Sequence, residues 1–180
     1  YSDSADKGAR FVELCNQKKI PLLFPQDVTG FMVGSRSERG GIIKDGAKMV
    51  NAVANSVVPK ITIFVGNSYG AGNYAMCGKA YGARFLFAWP SAAIAVMGGE
   101  QASRTLLAIQ LKNRGEEVSE EEKKERLADI QKRYADAMNP RYAAARLWVD
   151  AIIDPRRTRE VVAQALAACP WPVTWQAGLL

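Results

Sequence analysis

The feature that most constrains this chain is the β-branched run ITIFV at residues 61–65, which leads directly into the glycine-rich stretch GNSYGAGNYAM at 66–76. A short apolar run bounded by glycines is typical of a buried strand. The glycines that follow predict a bend from which the chain restarts as a helix to about residue 80. The first amides of such a helix have no partner within it. The stretch therefore predicts an α/β protein with unpaired backbone donors at a strand-to-helix junction.

The flanking sequence alternates the same two kinds of element. Ser4 is the expected N-cap of a helix to about Lys18, and a second helix covers residues 42–57 until Pro59 ends it. The positions expected to face inward are Phe11, Val12 and Cys15 on the first helix and Met49, Val50, Val53 and Val57 on the second. Short strands are predicted at residues 20–24, 84–89 and 92–97, with a long loop at 27–41.

The pattern becomes helical and charged after residue 112. Ser119 and Glu122 have the spacing of a capping box, and the helix they begin runs to about Met138 with few core positions. Asn139-Pro140 interrupts it, residues 141–149 resume a helix, and Asp154-Pro155 begins a last one to about residue 168. We expect one domain over residues 1–180, with a core at about 4–112 and a helical arm and C-terminal helices at about 116–168.

Composition excludes several classes of site. The chain has no histidine, which removes the usual base of serine hydrolases and the commonest metal ligand. Its three cysteines are widely spaced, which favours buried reduced thiols over a disulfide framework or a metal site. The net charge is +6, but the basic residues are interleaved with acidic residues and form no basic stripe, so nucleic-acid binding is not supported. No apolar run approaches the ~18 residues of a membrane span.

The central stretch fits three templates. G-x-S-x-G would make Ser68 a nucleophile, but without histidine its base would have to be a lysine, and no spacing selects among Lys44, Lys48, Lys60 and Lys79. G-x-G-x-x-A from Gly70 would bind a dinucleotide, yet the first acidic residue after it is Glu100, beyond two predicted strands.

The third template needs only the backbone. Amides at the start of the helix could stabilise an oxygen that gains negative charge. Composition alone leaves this hypothesis level with the alternative that Gly70 and Gly72 merely allow tight packing.

A resemblance favours the backbone template. The strings TGFMVG (29–34), GGIIKDGAKMVNAV (40–53), VPKITIFVGNSYGAGNYAMCGKAY (58–81), MGGEQA (97–102) and YAAARLWVDAIIDPRRTREVV (142–162) resemble, in order and spacing, the carboxyltransferase (beta) subunit of biotin-dependent acyl-CoA carboxylases. TGFMVG and GAGNYAM are most similar to the 3-methylcrotonyl-CoA and geranyl-CoA branch, since the acetyl- and propionyl-CoA branch has an acidic residue in place of Tyr74. Only the C-terminal half of the family pattern is present, so we expect a fragment or a subunit that another chain completes.

The resemblance implies a crotonase-like fold, in which ββα units stack into a superhelix and an oxyanion hole forms where a strand becomes a helix. It implies transfer of a carboxyl group from carboxybiotin to an acyl-CoA, without a metal in this chain, and a place in leucine degradation. The implied residues are Ala71 and Gly72 as amide donors with Gly70 in the turn, Thr29, Gly30, Phe31 and Tyr69 at the biotin side, and Tyr74 and Asn73 at the acyl side.

The implied partners are the N-terminal carboxyltransferase half and the subunits carrying biotin carboxylase and biotin, within a homo-oligomer that binds neither nucleic acid nor membrane. The implied location is the cytoplasm of a bacterium or the mitochondrial matrix of a eukaryote. Two alternatives remain open: a crotonase-like decarboxylase or other CoA enzyme that uses no biotin, and a non-catalytic assembly module.

Overall fold

The structure is a computed structural model that describes residues 1–114 and 119–170 of the 180-residue chain. The expected start of the arm at residue 116 and the end of the predicted domain at residue 180 lie outside the described residues. Thirteen helices and strands follow one another in these ranges, with short 3-10 turns at Lys79–Tyr81 and Pro155–Arg157. They are α1 (Ser2–Gln17), β1 (Leu22–Val28), α2 (Ser35–Arg39), α3 (Ile42–Asn55), β2 (Lys60–Tyr69), α4 (Gly70–Ala75), β3 (Phe85–Ala88), β4 (Ala93–Ala95), α5 (Gly99–Arg114), α6 (Glu120–Met138), α7 (Pro140–Ala145), β5 (Ala151–Ile152) and α8 (Thr158–Ala167).

The sheet is parallel, and its described strands follow the order β1-β2-β3-β5. Strand β2 is the longest of the described strands. Its first half pairs with β3, and its last residues, Asn67–Tyr69, pair with β4. Parallel pairing requires crossovers between strands, and here α2 and α3 connect β1 to β2 while α4 connects β2 to β3. The prediction of an α/β fold is confirmed.

Helices cover both faces of the sheet. On one face α1 and α3 pack together and bury Val12 and Val53 against Phe24 of β1. On the other face Ala165 of α8 packs with Ile61 and other apolar residues of β2, β3 and the β5 region. Because β2 carries apolar side chains on both faces, it lies at the centre of the core, as the ITIFV run predicted.

Several sequence expectations about the edges of the elements are wrong. Helix α1 begins at Ser2, so Ser4 is inside it and is not its N-cap. Phe11 is 61% exposed because the buried stripe of α1 runs through Ala5, Ala9, Val12 and Cys15, to one side of it. Val57 is 68% exposed because α3 ends at Asn55 and the chain is extended at Ser56.

The boundaries around the central stretch also differ from expectation. Strand β2 does not stop at residue 65 but continues to Tyr69, and α4 ends at Ala75, well before residue 80. Cys77 then takes a φ of 60°, which a helix cannot continue through. In the same way α7 ends at Ala145, short of the predicted end at residue 149, because Leu147 has a φ of 57°. The short strand β5 then lies in a segment for which the sequence predicted neither helix nor strand.

Helix α6 is mostly exposed, as its charged sequence predicted. Helices α5 and α6 pack against each other, and Ile130 is the one buried residue of α6. The Ser119 side chain accepts a hydrogen bond from the Glu122 amide at 3.2 Å, as the capping pattern predicted. Asp154 likewise caps the turn that precedes α8, where it accepts from the Arg156 amide. None of the described helices has the length and apolar character needed to cross a bilayer.

Candidate active site

Strand β2 becomes helix α4 at a single residue. Tyr69 is extended, and Gly70 reverses the direction of the chain with a φ of 55°. A side chain there would be strained, and its Cβ would also lie 3.0 Å from the carbonyl oxygen of Val96. Gly70 is therefore needed both for the turn and for the close passage of the segment after β4.

The start of α4 presents backbone donors. The first amides of a helix have no acceptor within it, and no side chain caps this end of α4. Ala71 is exposed and Gly72 is buried. A Cβ on Gly72 would lie 2.7 Å from Val28 Cγ2 and 3.1 Å from Gly30 Cα, so α4 rests directly on the segment after β1. The packing role and the donor role of these glycines are compatible, because Gly72 packs tightly while the neighbouring Ala71 is exposed.

The N-terminus of α4 lies between two cavities. The first, of about 750 Å³, is an apolar groove that includes Ala71. Its other lining residues come from the loop after β1, α2 and α3: Phe31, Met32, Val33, Glu38, Ile42, Ile43, Gly46, Ala47, Val50, Asn51 and Ala54. The second, of about 450 Å³, includes Gly70. It is completed by Phe64, Ser68, Asn73, Tyr74, Lys79, Ile94, Ala95, Val96 and Trp148.

The structure divides the residues expected at the biotin side. Phe31 lines the first cavity, with its ring so close to Gly46 that a Cβ there would lie 3.0 Å from Phe31 Cε1. Gly30 instead packs against α4 at Gly72, and Thr29 is exposed. The Tyr69 hydroxyl donates to Asn67 Oδ1 at 2.9 Å, and burial raises the pKa of Tyr69. Thr29, Gly30 and Tyr69 line neither of the two cavities.

The residues expected at the acyl side come together. Asn73 and Tyr74 both line the second cavity. The Tyr74 ring is about half exposed and lies 5.5 Å, centroid to centroid, from the ring of Tyr81. The amide nitrogen of Asn73 donates to Ser68 Oγ at 2.8 Å.

Ser68 lacks the geometry of a nucleophile. It lies within β2 rather than at the turn and is 0% exposed. Its hydroxyl donates to Gln26 Oε1 at 2.6 Å and accepts from Asn73. Among the candidate lysines, Lys60 donates to the carbonyls of Val53 and Ser56, and Lys48 pairs with two carboxylates. Lys79 lines the second cavity with Ser68, but the hydroxyl is already committed to its amide partners.

Gly66, the other glycine of the G-x-S-x-G match, has a structural explanation. The pairing of β1 with β2 shifts register between Gln26 and Val28, and the Asp27 carboxylate accepts the Asn67 amide at 2.9 Å. A Cβ on Gly66 would lie 2.5 Å from Asp27 Oδ1. The glycine leaves room for this carboxylate at an irregularity of the sheet.

Sequence reasoning missed several residues of the site. Trp148, Ile94 and Val96 line the second cavity, and Met32 and Val33 line the first. Trp148 follows α7 and is more than 70 positions from α4, so no local pattern links the two. In the described part of the chain, no group of three or more His, Cys, Asp or Glu side chains could hold a metal ion.

The chain is similar to known proteins over most of its length. Residues 1–171 match the family model for the carboxyl transferase domain. The chain is 55% identical over 172 residues to the biotin-dependent 3-methylcrotonyl-coenzyme A carboxylase beta1 subunit of Mycobacterium tuberculosis, covering 94% of this chain and 32% of that protein. It is 52% identical to the probable mitochondrial methylcrotonoyl-CoA carboxylase beta chain of Drosophila melanogaster, covering 93% and 30%.

The chain is also similar to solved structures. The beta subunit of P. aeruginosa geranyl-CoA carboxylase superposes with a TM-score of 0.84 at 43% identity, covering 94% of this chain and 32% of that one. The transcarboxylase 12S subunit, solved as a hexamer assembly with methylmalonyl-coenzyme A bound, gives a TM-score of 0.83 at 41% identity, covering 92% and 31%. The chain thus spans about a third of the length of these relatives.

Proposed function

The chain belongs to the carboxyl transferase domain family, and from that membership we propose that it forms part of a biotin-dependent acyl-CoA carboxylase and acts in its carboxyl-transfer step. The proposed acceptor is 3-methylcrotonyl-CoA or a similar branched, unsaturated acyl-CoA, because relatives with this acceptor in their names share more than half of the aligned residues. One observation carries the proposal: the unpaired amides of α4 lie between an apolar groove and a second cavity.

The groove and the amides fit a biotin ring. Biotin has an apolar bicyclic body and a polar ureido group, and the groove has an apolar lining that includes Phe31 together with Ala71 from the start of α4. Carboxybiotin would supply the carboxyl group, and its ureido oxygen is the group that would need stabilisation as an anion. The amides of Ala71 and Gly72 would donate hydrogen bonds to that oxygen, and Gly70 provides the turn that precedes them.

The remaining site residues have supporting roles in this proposal. Phe31 packs against the biotin ring in the groove. Thr29, Gly30 and Tyr69 do not line the groove, and we assign them to the biotin side as residues around it. Tyr74 and Asn73 shape the acyl side. Stabilisation by backbone amides requires no titrating side chain, which suits a chain without histidine.

The proposed partners are a second carboxyltransferase half and subunits that carry biotin carboxylase and biotin, in a homo-oligomer. Exposed apolar residues in the groove lining support this, since Val33 is 79% and Ile43 is 70% exposed, and exposed apolar surface marks interaction sites. We place the protein in the cytoplasm of a bacterium or in the mitochondrial matrix of a eukaryote, in line with the mitochondrial names of eukaryotic relatives.

The test is reconstitution of the carboxyltransferase with its biotin-bearing partner. Carboxyl transfer is measured to 3-methylcrotonyl-CoA, with propionyl-CoA and acetyl-CoA as matched acceptors and avidin as the biotin block. We expect avidin-sensitive transfer that is fastest with 3-methylcrotonyl-CoA. Decarboxylation that persists with avidin would favour the biotin-independent CoA enzyme. Absence of any activity in an assembled complex would favour the assembly module.

A further inference from the structure

Helix α4 is held on the sheet by a buried chain of hydrogen bonds that the proposed mechanism does not use. We propose that Gln26 and Ser68 are positioning residues, which act through Asn73 and Met76 to hold the Ala71 and Gly72 amides in place for transfer. The inference rests on the proposed function and gives a role to the serine of the G-x-S-x-G match.

The chain of hydrogen bonds joins two strands to the second half of one short helix, at Asn73 and at the C-cap Met76. Asn73 Nδ2 donates to Ser68 Oγ at 2.8 Å, and the Ser68 hydroxyl donates to Gln26 Oε1 at 2.6 Å. Gln26 Nε2 then donates to the carbonyl of Met76, the C-cap of α4, at 2.5 Å. Gln26 and Ser68 are both 0% exposed, so water cannot replace either partner.

One fixed acceptor determines the direction of every bond. The Met76 carbonyl can only accept, so the amide nitrogen of Gln26 must face it and the amide oxygen must face Ser68. The Ser68 hydroxyl therefore donates to Gln26, which leaves its lone pairs for Asn73. Each group thus has one compatible orientation, and the chain specifies a single position of α4.

The fit around Asn73 leaves it little freedom. Gly78 has an ordinary backbone conformation, with φ −66° and ψ −178°. A Cβ at this position would nevertheless lie 1.8 Å from Asn73 Oδ1 and 2.9 Å from the Asn73 carbonyl oxygen. Gly78 is thus required for space alone, and the Asn73 side chain is confined between it and Ser68.

Helix α4 needs such support. It has six residues and no side-chain cap at its N-terminus, and a helix of that length does not hold its shape without tertiary contacts. A displacement of about 1 Å at a reacting group can cost on the order of a hundredfold in rate. Loss of the Ser68 hydroxyl would free Asn73 and leave a buried Gln26 oxygen without its donor.

The test compares Ser68→Ala with Ser103→Ala in the reconstituted enzyme. Ser103 is also 0% exposed, but its hydroxyl donates to the Gly99 carbonyl within α5 and has no link to α4. We expect Ser68→Ala to lower kcat about tenfold to a hundredfold, with a smaller change in KM for the acyl-CoA, since Asn73 lines the second cavity, and with faster amide hydrogen exchange confined to residues 70–78. Ser103→Ala should leave kcat and that exchange unchanged.

Gly78→Ala provides a second route that removes no polar group. It should displace Asn73 and give the same kcat loss and the same local exchange, which keeps the inference testable if Ser68→Ala does not fold. Wild-type kcat in either folded variant would overturn the inference, as would equal losses in Ser68→Ala and Ser103→Ala. An inactive wild-type enzyme would contradict the proposed function instead, and unaltered exchange at residues 70–78 in Ser68→Ala would still overturn the positioning role.

Discussion

Replacing Gly72 with alanine would put a methyl group into the contact between α4 and the segment after β1. The new Cβ would lie 2.7 Å from Val28 Cγ2 and 3.1 Å from Gly30 Cα. Carbon atoms pack best at about 3.5–4.0 Å, so the two contacts are short by roughly 1 Å and 0.5 Å. The Val28 side chain can change its rotamer to relieve its contact. The contact with Gly30 is with a backbone atom, so α4 itself must move to relieve it.

The size of the effect follows from that shift. Moving the Ala71 and Gly72 amides by roughly 0.5–1 Å should lower kcat about tenfold to a hundredfold. The overpacked contact should cost about 1–3 kcal/mol of unfolding free energy, offset in part by the better helix propensity of alanine. The expected signature is a large loss of rate with a modest loss of stability.

The assay is carboxyl transfer from the carboxylated biotin carrier to the acyl-CoA, with the thermal midpoint measured in parallel. Gly98→Ala is the matched control, since the nearest atom to its new Cβ would be Tyr69 Cε2 at 3.8 Å, an ordinary contact. If Gly72→Ala folds and transfers carboxyl groups as fast as Gly98→Ala, the amides at the start of α4 are not the oxyanion donors.

Three further predictions test the site and the core. Ala71→Pro removes one amide donor near the helix start, where proline is tolerated, and should lower kcat by about 10² to 10³; wild-type transfer would refute the assigned role of this amide. Gly46→Ala, whose Cβ would lie 3.0 Å from Phe31 Cε1, should displace that ring and raise KM for the biotin carrier more than it lowers kcat, as steady-state kinetics at varied carrier would show. Burial raises the pKa of the Cys77 thiol above its ordinary value of 9.0. The unfolded chain therefore loses this proton first, and stability should fall as pH rises past 9. Urea midpoints at pH 8 and pH 10 should change less in Cys77→Ala than in the wild type, and equal changes would contradict this.

Local patterns were sufficient for the class of the fold and for the junction between the central strand and the helix after it. The β-branched run at residues 61–65 and the glycines after it predicted a buried strand that turns into a helix, and β2 and α4 confirm this. These features are readable because backbone preference and hydrophobic periodicity act over a few residues. The Ser119 and Asp154 caps were readable for the same reason.

Errors arose where distant parts of the chain decide the outcome. β2 extends to Tyr69 because β4 provides a partner for residues 67–69, about 25 positions further along the chain. Phe11 is exposed although it follows a helical pattern, because the position of α3 determines which stripe of α1 is covered.

The sequence by itself determined that this is an α/β chain of the carboxyl transferase family, in which a helix with unpaired N-terminal amides follows the central strand. Motifs and local propensities can be read from residues that are close together in the chain. Only the tertiary structure decided what surrounds those amides. In the folded protein Gly30 packs against Gly72, Trp148 lines the second cavity, and the buried Ser68 hydroxyl is hydrogen-bonded to Gln26 and Asn73. The physical reason is that each of these contacts depends on how separate elements pack, which no short stretch of sequence specifies.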